Sequence, residues 1–162
     1  MKTVVAKFGG TSLADAGQFR KVKEIIESDP ARKIIVVSAP GKRFPKDTKV
    51  TDMLYACYDL AASGKSFSKE LKEIKARYDE IIEGLMLELS LEDEFKTIEK
   101  NFKAKMGRDY AASRGEYLNG IVMAKYLGYE FIDAATVIFF DEKGEFDADK
   151  TNEILSHRLT EC

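Results

Sequence analysis

A lysine and two glycines end a short apolar segment near the start of the sequence. Residues 3–8 are rich in β-branched side chains and stop at Gly9-Gly10, which predicts a buried strand that runs into a tight loop. Lys7 lies at the strand end, and Thr11-Ser12 follow the glycines. Backbone N–H groups in such a loop can bind an anion, and Lys7 adds a positive charge suited to phosphate. The residues alone favour an ordinary turn, which is the more common result of a glycine pair after a strand.

Two further segments combine hydroxyl and carboxylate side chains near predicted helix starts. Thr51-Asp52 fits either a helix cap or a hydroxyl offered to a substrate. Ser113 and Glu116 have the spacing of a capping box, which is the interpretation that spacing alone favours. Gly115 between them costs ~1 kcal/mol of helix propensity, which indicates that another group approaches the backbone there. Both pairs of alternatives stay open at the level of the sequence.

Other residues that could carry chemistry have simpler interpretations. Gly64-Lys65-Ser66 resembles the end of a phosphate-binding P-loop, but Asp59 occupies the position of the loop's first glycine. We therefore expect a helix end there. His157, the only histidine, is expected to be exposed on a C-terminal helix, and Cys57 to be a small core residue. We expect no metal site built by the protein alone.

The elements that must position these residues alternate between strands and helices. Such alternation predicts parallel strands joined by helical crossovers, with a helical hairpin inserted at about 68–105. Strands are predicted at 3–8, 34–37, 129–133 and 137–140, and helices from Ser12 to before Pro30, from Thr51 to Gly64, and at 109–127 and 149–159.

Composition limits the classes of protein that fit. The chain has 162 residues, 44% of them hydrophobic, which suits one domain with a sizeable core. Its 26 Lys and Arg against 28 Asp and Glu give a net charge of −2, which argues against nucleic-acid and membrane-surface partners. No apolar run approaches the ~20 residues that span a bilayer, and two distant cysteines without a secretory leader fit a reducing compartment. We expect a cytoplasmic protein.

Three segments, in this order, resemble the aspartokinases, a branch of the amino-acid kinase family. They are KFGGTS at 7–12, VVSAPGKRFPKDTKVTDMLY at 36–55 and SRGEYLN at 113–119. Each segment is weak alone, but their combination is specific, and the resemblance extends over essentially the whole chain. It implies an incomplete three-layer α/β/α sandwich with a mainly parallel sheet. Residues 1–162 would form the N-terminal, aspartate-binding part, without the second lobe and the regulatory ACT domains of the family.

The resemblance also implies a reaction. The parent enzyme would transfer the γ-phosphoryl group of ATP, bound with Mg²⁺, to the side-chain carboxylate of L-aspartate, giving 4-phospho-L-aspartate for lysine, threonine and methionine biosynthesis. A carboxylate with a pKa of ~3.9 is already an anion at neutral pH, so no catalytic base is required. The enzyme must instead align two anions and offset the charge on the phosphoryl oxygens.

The same resemblance implies roles for individual residues. Lys7 would be catalytic and contact the phosphates, with the loop around it as the ATP-binding segment, whereas a second group would bind the aspartate. The ATP-binding residues would be Lys7, Phe8, Gly9, Gly10, Thr11 and Ser12, and the aspartate-binding residues Ser38, Thr51 and Glu116, the last by accepting hydrogen bonds from the ammonium group.

Two alternatives to this function are kept. One is a kinase for another acidic substrate, such as glutamate or N-acetylglutamate, and the other is a non-catalytic binding or interaction fragment. We expect the 162-residue chain alone to be inactive, because half an active site leaves much of the nucleotide surface unbuilt. We expect the whole enzyme to be a homo-oligomer.

Overall fold

The computed structural model describes residues 2–162. Two β-strands and six α-helices lie in this range, together with two short 3-10 turns at Gly10–Leu13 and Ala134–Thr136. In chain order the elements are β1 (Val4–Phe8), α1 (Ala16–Glu27), β2 (Arg32–Val37), α2 (Val50–Ala62), α3 (Ser68–Gly84), α4 (Glu92–Lys103), α5 (Arg108–Leu127) and α6 (Ala148–Thr160).

The two strands form a parallel sheet with α1 as the crossover between them. Ala6 pairs with Ile35 and Phe8 with Val37, and α1 leaves the end of β1 and returns the chain to the start of β2. This arrangement confirms the predicted α/β class and the parallel strands.

The helices cover one face of the sheet. Phe8, Ile35 and Val37 pack against the hydrophobic core, whereas Val5 and Val36 on the opposite face are 60% and 43% exposed. The strands were predicted to be buried, and that prediction is wrong for one face of the sheet. Successive side chains point to opposite faces of a strand, so helices on one side can bury only every second residue.

The inserted helical hairpin is confirmed. It consists of α3 and α4, which pack on α2 and α5. The ring of Phe102 from α4 meets that of Tyr58 from α2 edge-on, with centroids 5.4 Å apart. Tyr78 in α3 is fully buried and its hydroxyl donates to the Gly115 carbonyl of α5 at 2.8 Å. The insertion is therefore part of the main core.

The first helix begins later than predicted. Asp15 is its N-cap, and the Asp15 side chain accepts a hydrogen bond from the Gln18 N–H at 2.9 Å. Ser12, the predicted start, lies in the preceding 3-10 turn. A carboxylate three residues before a free N–H satisfies that donor, so the helix starts at Asp15 rather than at Ser12.

The prediction of two strands at 129–133 and 137–140 is wrong. Phe131 instead packs its ring edge-on against Tyr117 at 5.5 Å, and the Asp133 side chain caps the second 3-10 turn by accepting from the Ala135 N–H. Phe140 forms only an isolated antiparallel bridge with Phe146. A strand needs a neighbouring strand for its backbone hydrogen bonds, and the described residues offer none here, whereas the N–H groups of Thr136, Val137 and Ile138 bond to carbonyls of residues 133–134. The predicted C-terminal helix is present as α6.

Within residues 2–162, no helix combines the length and apolar character that a membrane crossing requires.

Candidate functional site

The loops that follow β1 and β2 meet backbone to backbone at the ends of the strands. The Gly41 N–H donates to the Gly10 carbonyl at 2.8 Å, and the Ser38 N–H donates to the Phe8 carbonyl at 3.1 Å. A Cβ on Gly41 would lie 2.6 Å from the Gly10 carbonyl carbon, and one on Gly10 would lie 2.8 Å from the Ala39 carbonyl oxygen. Only residues without a Cβ fit at these two positions, so the glycines fix how closely the loops approach.

Helix α5 forms a third side of this junction. A Cβ on Gly115 would lie 2.6 Å from the Ala39 Cβ. One turn later, the buried Asn119 side chain donates through Nδ2 to the Ser38 carbonyl at 2.7 Å. The prediction that another group approaches the backbone at Gly115 is therefore confirmed, and the group is Ala39.

The capping-box interpretation of Ser113 and Glu116 is wrong. Helix α5 begins at Arg108 with Gly107 as N-cap, so Ser113 lies within the helix. The Ser113 hydroxyl donates to the Tyr110 carbonyl at 2.7 Å. Since Ser113 has no free helix terminus to cap, Glu116 is left available as an exposed carboxylate on α5.

Helix α2 starts at the same junction. Its first residue, Val50, donates its N–H to the Pro40 carbonyl at 3.1 Å. Lys49 is the N-cap, and no side chain caps this helix. The cap interpretation of Thr51-Asp52 is therefore wrong, and Thr51 lies half-buried in the first turn. A contact of its hydroxyl with a substrate stays a prediction.

Lys7 and the loop after it lie at the exposed edge of the junction. Lys7 pairs in register with Val36 and is exposed on the open face of the sheet. Gly9 is the N-cap of the 3-10 turn that contains Thr11 and Ser12, and no side chain caps this turn. The first N–H groups of a helical turn have no partner within it, so this loop can donate to an anion.

Glu116 approaches the junction from α5. The Tyr78 hydroxyl is bound to the carbonyl of the neighbouring Gly115. Burial raises the pKa of Tyr78 well above its usual value, and the negative charge of Glu116 raises this pKa further. The structure thus brings the backbones of the Lys7 and Ser38 segments together with α5 at one end of the sheet. The contacts of these side chains with ligands stay predictions.

A buried arginine that the sequence analysis missed also holds the junction. Arg77 is 4% exposed and donates to the carbonyls of Gly41 and Thr48. Burial lowers the pKa of Arg77, and the positive charge of Arg43 lowers it further. A sequence signal existed, because Arg77 follows Ile74 by three residues and therefore lies in the apolar stripe of α3.

Two concave regions lie away from this junction. A cavity of about 160 Å³ lies between α4 and α5, and Arg114 on its wall stacks between the rings of Tyr110 and Tyr117 at 4.7 and 4.4 Å. A wider depression of about 560 Å³ lies over the start of α3, from Ser66 to Ala76. None of the predicted site residues lines either of them.

The remaining candidates have structural roles. Gly64 has a φ of +72° directly after α2, which confirms a helix end rather than a phosphate loop. Burial raises the pKa of the Cys57 thiol to about 12, and His157 is exposed beside Glu161. In the described part of the chain no three His, Cys, Asp or Glu side chains form a group that could hold a metal ion.

Comparison with known proteins gives the family. Residues 2–160 match the amino acid kinase family. Aspartokinase 3 of Bacillus subtilis (strain 168) is 38% identical over 139 residues, which is 82% of this chain and 31% of that protein. The aspartate kinase of Clostridium acetobutylicum is 50% identical, with a TM-score of 0.96 over 100% of this chain and 37% of the other.

A third comparison shows the fold alone. Aspartokinase III of E. coli, in complex with aspartate and ADP (R-state), gives a TM-score of 0.78 at 22% identity, over 98% of this chain and 38% of that protein. The chain spans about a third of the length of these relatives. The match over nearly all residues confirms the resemblance found in the sequence, and the chain belongs to the amino acid kinase family.

Proposed function

We propose that this chain forms the aspartate-binding part of an aspartate kinase, which transfers the γ-phosphoryl group of ATP to the side-chain carboxylate of L-aspartate. The observation that carries this proposal is the hydrogen bond of 2.8 Å between Gly41 and Gly10. It places a loop suited to phosphate directly beside the loop that begins at Ser38. The relatives named as aspartate kinases from Bacillus subtilis and Clostridium acetobutylicum support the choice of substrate.

The charge around the junction suits two anionic substrates. The segment 41–49 contains four basic residues and one acidic residue, which are Lys42, Arg43, Lys46, Lys49 and Asp47. A local excess of positive charge raises the concentration of anions and speeds their association. The aspartate carboxylate is ionised at neutral pH, so the enzyme must hold it in line with the phosphoryl group rather than deprotonate it.

Each predicted residue has a task in this reaction. Lys7 offsets the charge that spreads over the transferring phosphoryl oxygens, and the N–H groups of the 9–12 loop bind phosphate oxygens. The hydroxyls of Ser38 and Thr51 bind the aspartate, and the Glu116 carboxylate accepts hydrogen bonds from its ammonium group. Mg²⁺ bound with the nucleotide would neutralise phosphate charge.

Assembly and location belong to the same proposal. In this proposal the complete enzyme is a homo-oligomer. A cytoplasmic location is supported by the two free thiols of Cys57 and Cys162.

Calorimetric titration of the 162-residue chain tests the substrate. We expect L-aspartate to bind and L-glutamate and N-acetylglutamate to bind at least about tenfold more weakly, since an extra methylene does not fit a pocket shaped for aspartate. Preference for glutamate or N-acetylglutamate would identify the other acidic-substrate kinase. Absence of binding to all three compounds, and to ATP with Mg²⁺, would identify an interaction fragment.

A lysine variant tests the mechanism in the complete enzyme. Lys7→Ala is expected to lower kcat by about 10³-fold or more, because the transition state loses a positive charge at the phosphoryl group. Lys33→Ala is the matched control, because Lys33 is an exposed lysine at the opposite end of the sheet. Unchanged turnover in Lys7→Ala, measured in a coupled assay of ADP release, would refute the assignment.

A further inference from the structure

A buried charge cluster, to which the proposed reaction assigns no role, lies between α3 and residues 38–49. We call residues 38–49 the substrate loop. We infer that Arg77 is a positioning residue that holds the substrate loop against the 9–12 loop and so sets the affinity for the acidic substrate. The inference takes its substrate from the proposed function, whereas its structural part can be tested without that substrate.

A single guanidinium binds two carbonyls of the substrate loop, those of Gly41 and Thr48. Arg77 Nη2 donates to the Gly41 carbonyl at 2.8 Å, and Nη1 donates to the Thr48 carbonyl at 2.9 Å. The planar fork of arginine can bind two acceptors at fixed separation, which the point charge of a lysine cannot do. The distance between the Gly41 and Thr48 carbonyls therefore depends on Arg77.

Gly41 transmits this constraint to the neighbouring loop. Its carbonyl accepts from Arg77, while its N–H donates to the Gly10 carbonyl at 2.8 Å. Gly41 and Gly10 are in close backbone contact, so one cannot shift without the other. Arg77, which lies on the inserted hairpin, thus acts on the 9–12 loop through Gly41.

Asp47 balances the buried charge of Arg77. Its Oδ2 lies 3.5 Å from Arg77 Nη1, and the Asp47 side chain is 8% exposed. The same oxygen accepts from the backbone N–H and the Nε of Arg43, at 2.9 and 2.8 Å, and Arg43 also pairs with Glu80 on α3 at 2.9 Å. The loop is therefore attached to α3 by a connected network of charges.

Stability alone does not account for an arginine at this place. A buried ion pair is often no more stabilising than an apolar residue of similar volume. The Arg77 Nε also has no hydrogen-bond partner in the described chain, and such a buried donor is unfavourable. What the guanidinium provides, and an apolar side chain would not, is a fixed spacing between two loop carbonyls.

The experiment compares Arg77→Lys with Tyr78→Phe in the 162-residue chain. Tyr78 is the next residue of α3, is equally buried, and also donates to a backbone carbonyl at 2.8 Å, but that carbonyl belongs to Gly115 on α5. Amide hydrogen exchange is followed by NMR for Gly41, with Val122 in the middle of α5 as the internal reference. The affinity for L-aspartate is measured by calorimetry on the same samples.

Arg77→Lys is expected to speed exchange at Gly41 relative to Val122 by about tenfold and to weaken aspartate binding by about 10- to 100-fold, since a displaced loop misplaces its substrate groups. Tyr78→Phe should leave the exchange rate of Gly41 relative to Val122 unchanged. The inference would be overturned if both variants changed the relative exchange rate of Gly41 equally, or if Arg77→Lys did not change it.

The two proposals fail in different ways. If the wild-type chain does not bind aspartate, the proposed function fails, and the exchange at Gly41 still decides the role of Arg77. If Arg77→Lys changes exchange but not affinity, the loop is positioned by Arg77 without consequence for the substrate, and the inference is refuted. In the complete enzyme the same variant should raise KM for aspartate more than it lowers kcat.

Discussion

The junction at the strand ends and the segment after Gly128 are held in opposite ways. At the junction, glycine backbones touch, and the buried side chains of Arg77 and Asn119 bind loop carbonyls. After Gly128, the rings of Phe140 and Phe146 pack against each other and are 64% and 56% exposed. The junction is therefore fixed by close backbone contacts and buried side chains, whereas the turn around Phe140 and Phe146 is held mainly by exposed contacts.

This difference indicates where chemical precision lies in the chain. Phosphoryl transfer requires reacting groups to be placed within fractions of an ångström, which close-packed backbone can provide. A segment with few buried apolar contacts opens more easily and cannot define such distances. Substitutions in the two regions should therefore differ in effect as much as the packing of the regions differs.

The largest effect is expected at Gly41. In Gly41→Ala the new Cβ would meet the carbonyl carbon of Gly10 at 2.6 Å, and backbone atoms cannot turn away as a side chain can. We expect a loss of about 3 kcal/mol or more in the free energy of unfolding, measured by chemical denaturation. Gly9→Ala is the control, because nothing lies within 4 Å of its Cβ position and its φ is −79°. It should be neutral or slightly stabilising, and a similar loss in both variants would contradict the packing argument.

A matched pair of glycines in α5 gives the second prediction. Gly115 faces the junction, where Ala39 is 2.6 Å from its Cβ position, and Gly120 faces the Phe131 ring of the C-terminal segment at 2.8 Å. At both positions, replacing Gly by Ala improves helix propensity by up to about 1 kcal/mol. Gly115→Ala should still lose about 2 kcal/mol because Ala39 is fixed, whereas Gly120→Ala should be near neutral because the Phe131 side chain can rotate. Equal thermal unfolding midpoints for the two variants would show that the segments are equally rigid.

Much of the fold could be predicted because its signals are local. The α1 crossover, the inserted hairpin and α5 follow from helical spacing, and the helix end at Gly64 follows from glycine chemistry. The strands at 129–133 and 137–140 were wrong because β-branched and aromatic residues there have no neighbouring strand within the described residues to pair with.

The site was predictable only in part. The tight loop at Gly9-Gly10 and the approach of another group to the Gly115 backbone could be inferred from residue types, since each requires a residue without a Cβ. The roles of Arg77 and Asn119 could not, because both depend on loops that are distant in sequence and meet only in the fold. A charged residue in an apolar helical stripe is nevertheless a signal that the sequence carries, and Arg77 shows how it can be used.

The smallest effect is expected from acid, which separates the two regions through their carboxylates. The hydrogen bond from Arg43 holds the pKa of Asp47 well below its usual value, and the hydrogen bond from Arg158 lowers the pKa of Glu130 in the C-terminal segment. A lowered folded-state pKa adds stability that is complete above the unfolded value of ~3.9 to 4.3 and is lost gradually as the pH falls from there through the folded-state pKa. Asp47→Asn should therefore lose about 1 kcal/mol at pH 7 and progressively less as the pH falls from about 4 toward 2, with little response to salt because the Asp47 side chain is shielded from solvent. The Glu130 side chain is 49% exposed, so Glu130→Gln should change the denaturation midpoint little at any pH, and its small effect should disappear in 1 M salt. Equal, salt-sensitive losses in the two variants would place Asp47 at the surface in solution and remove the charge balance on which the role of Arg77 depends.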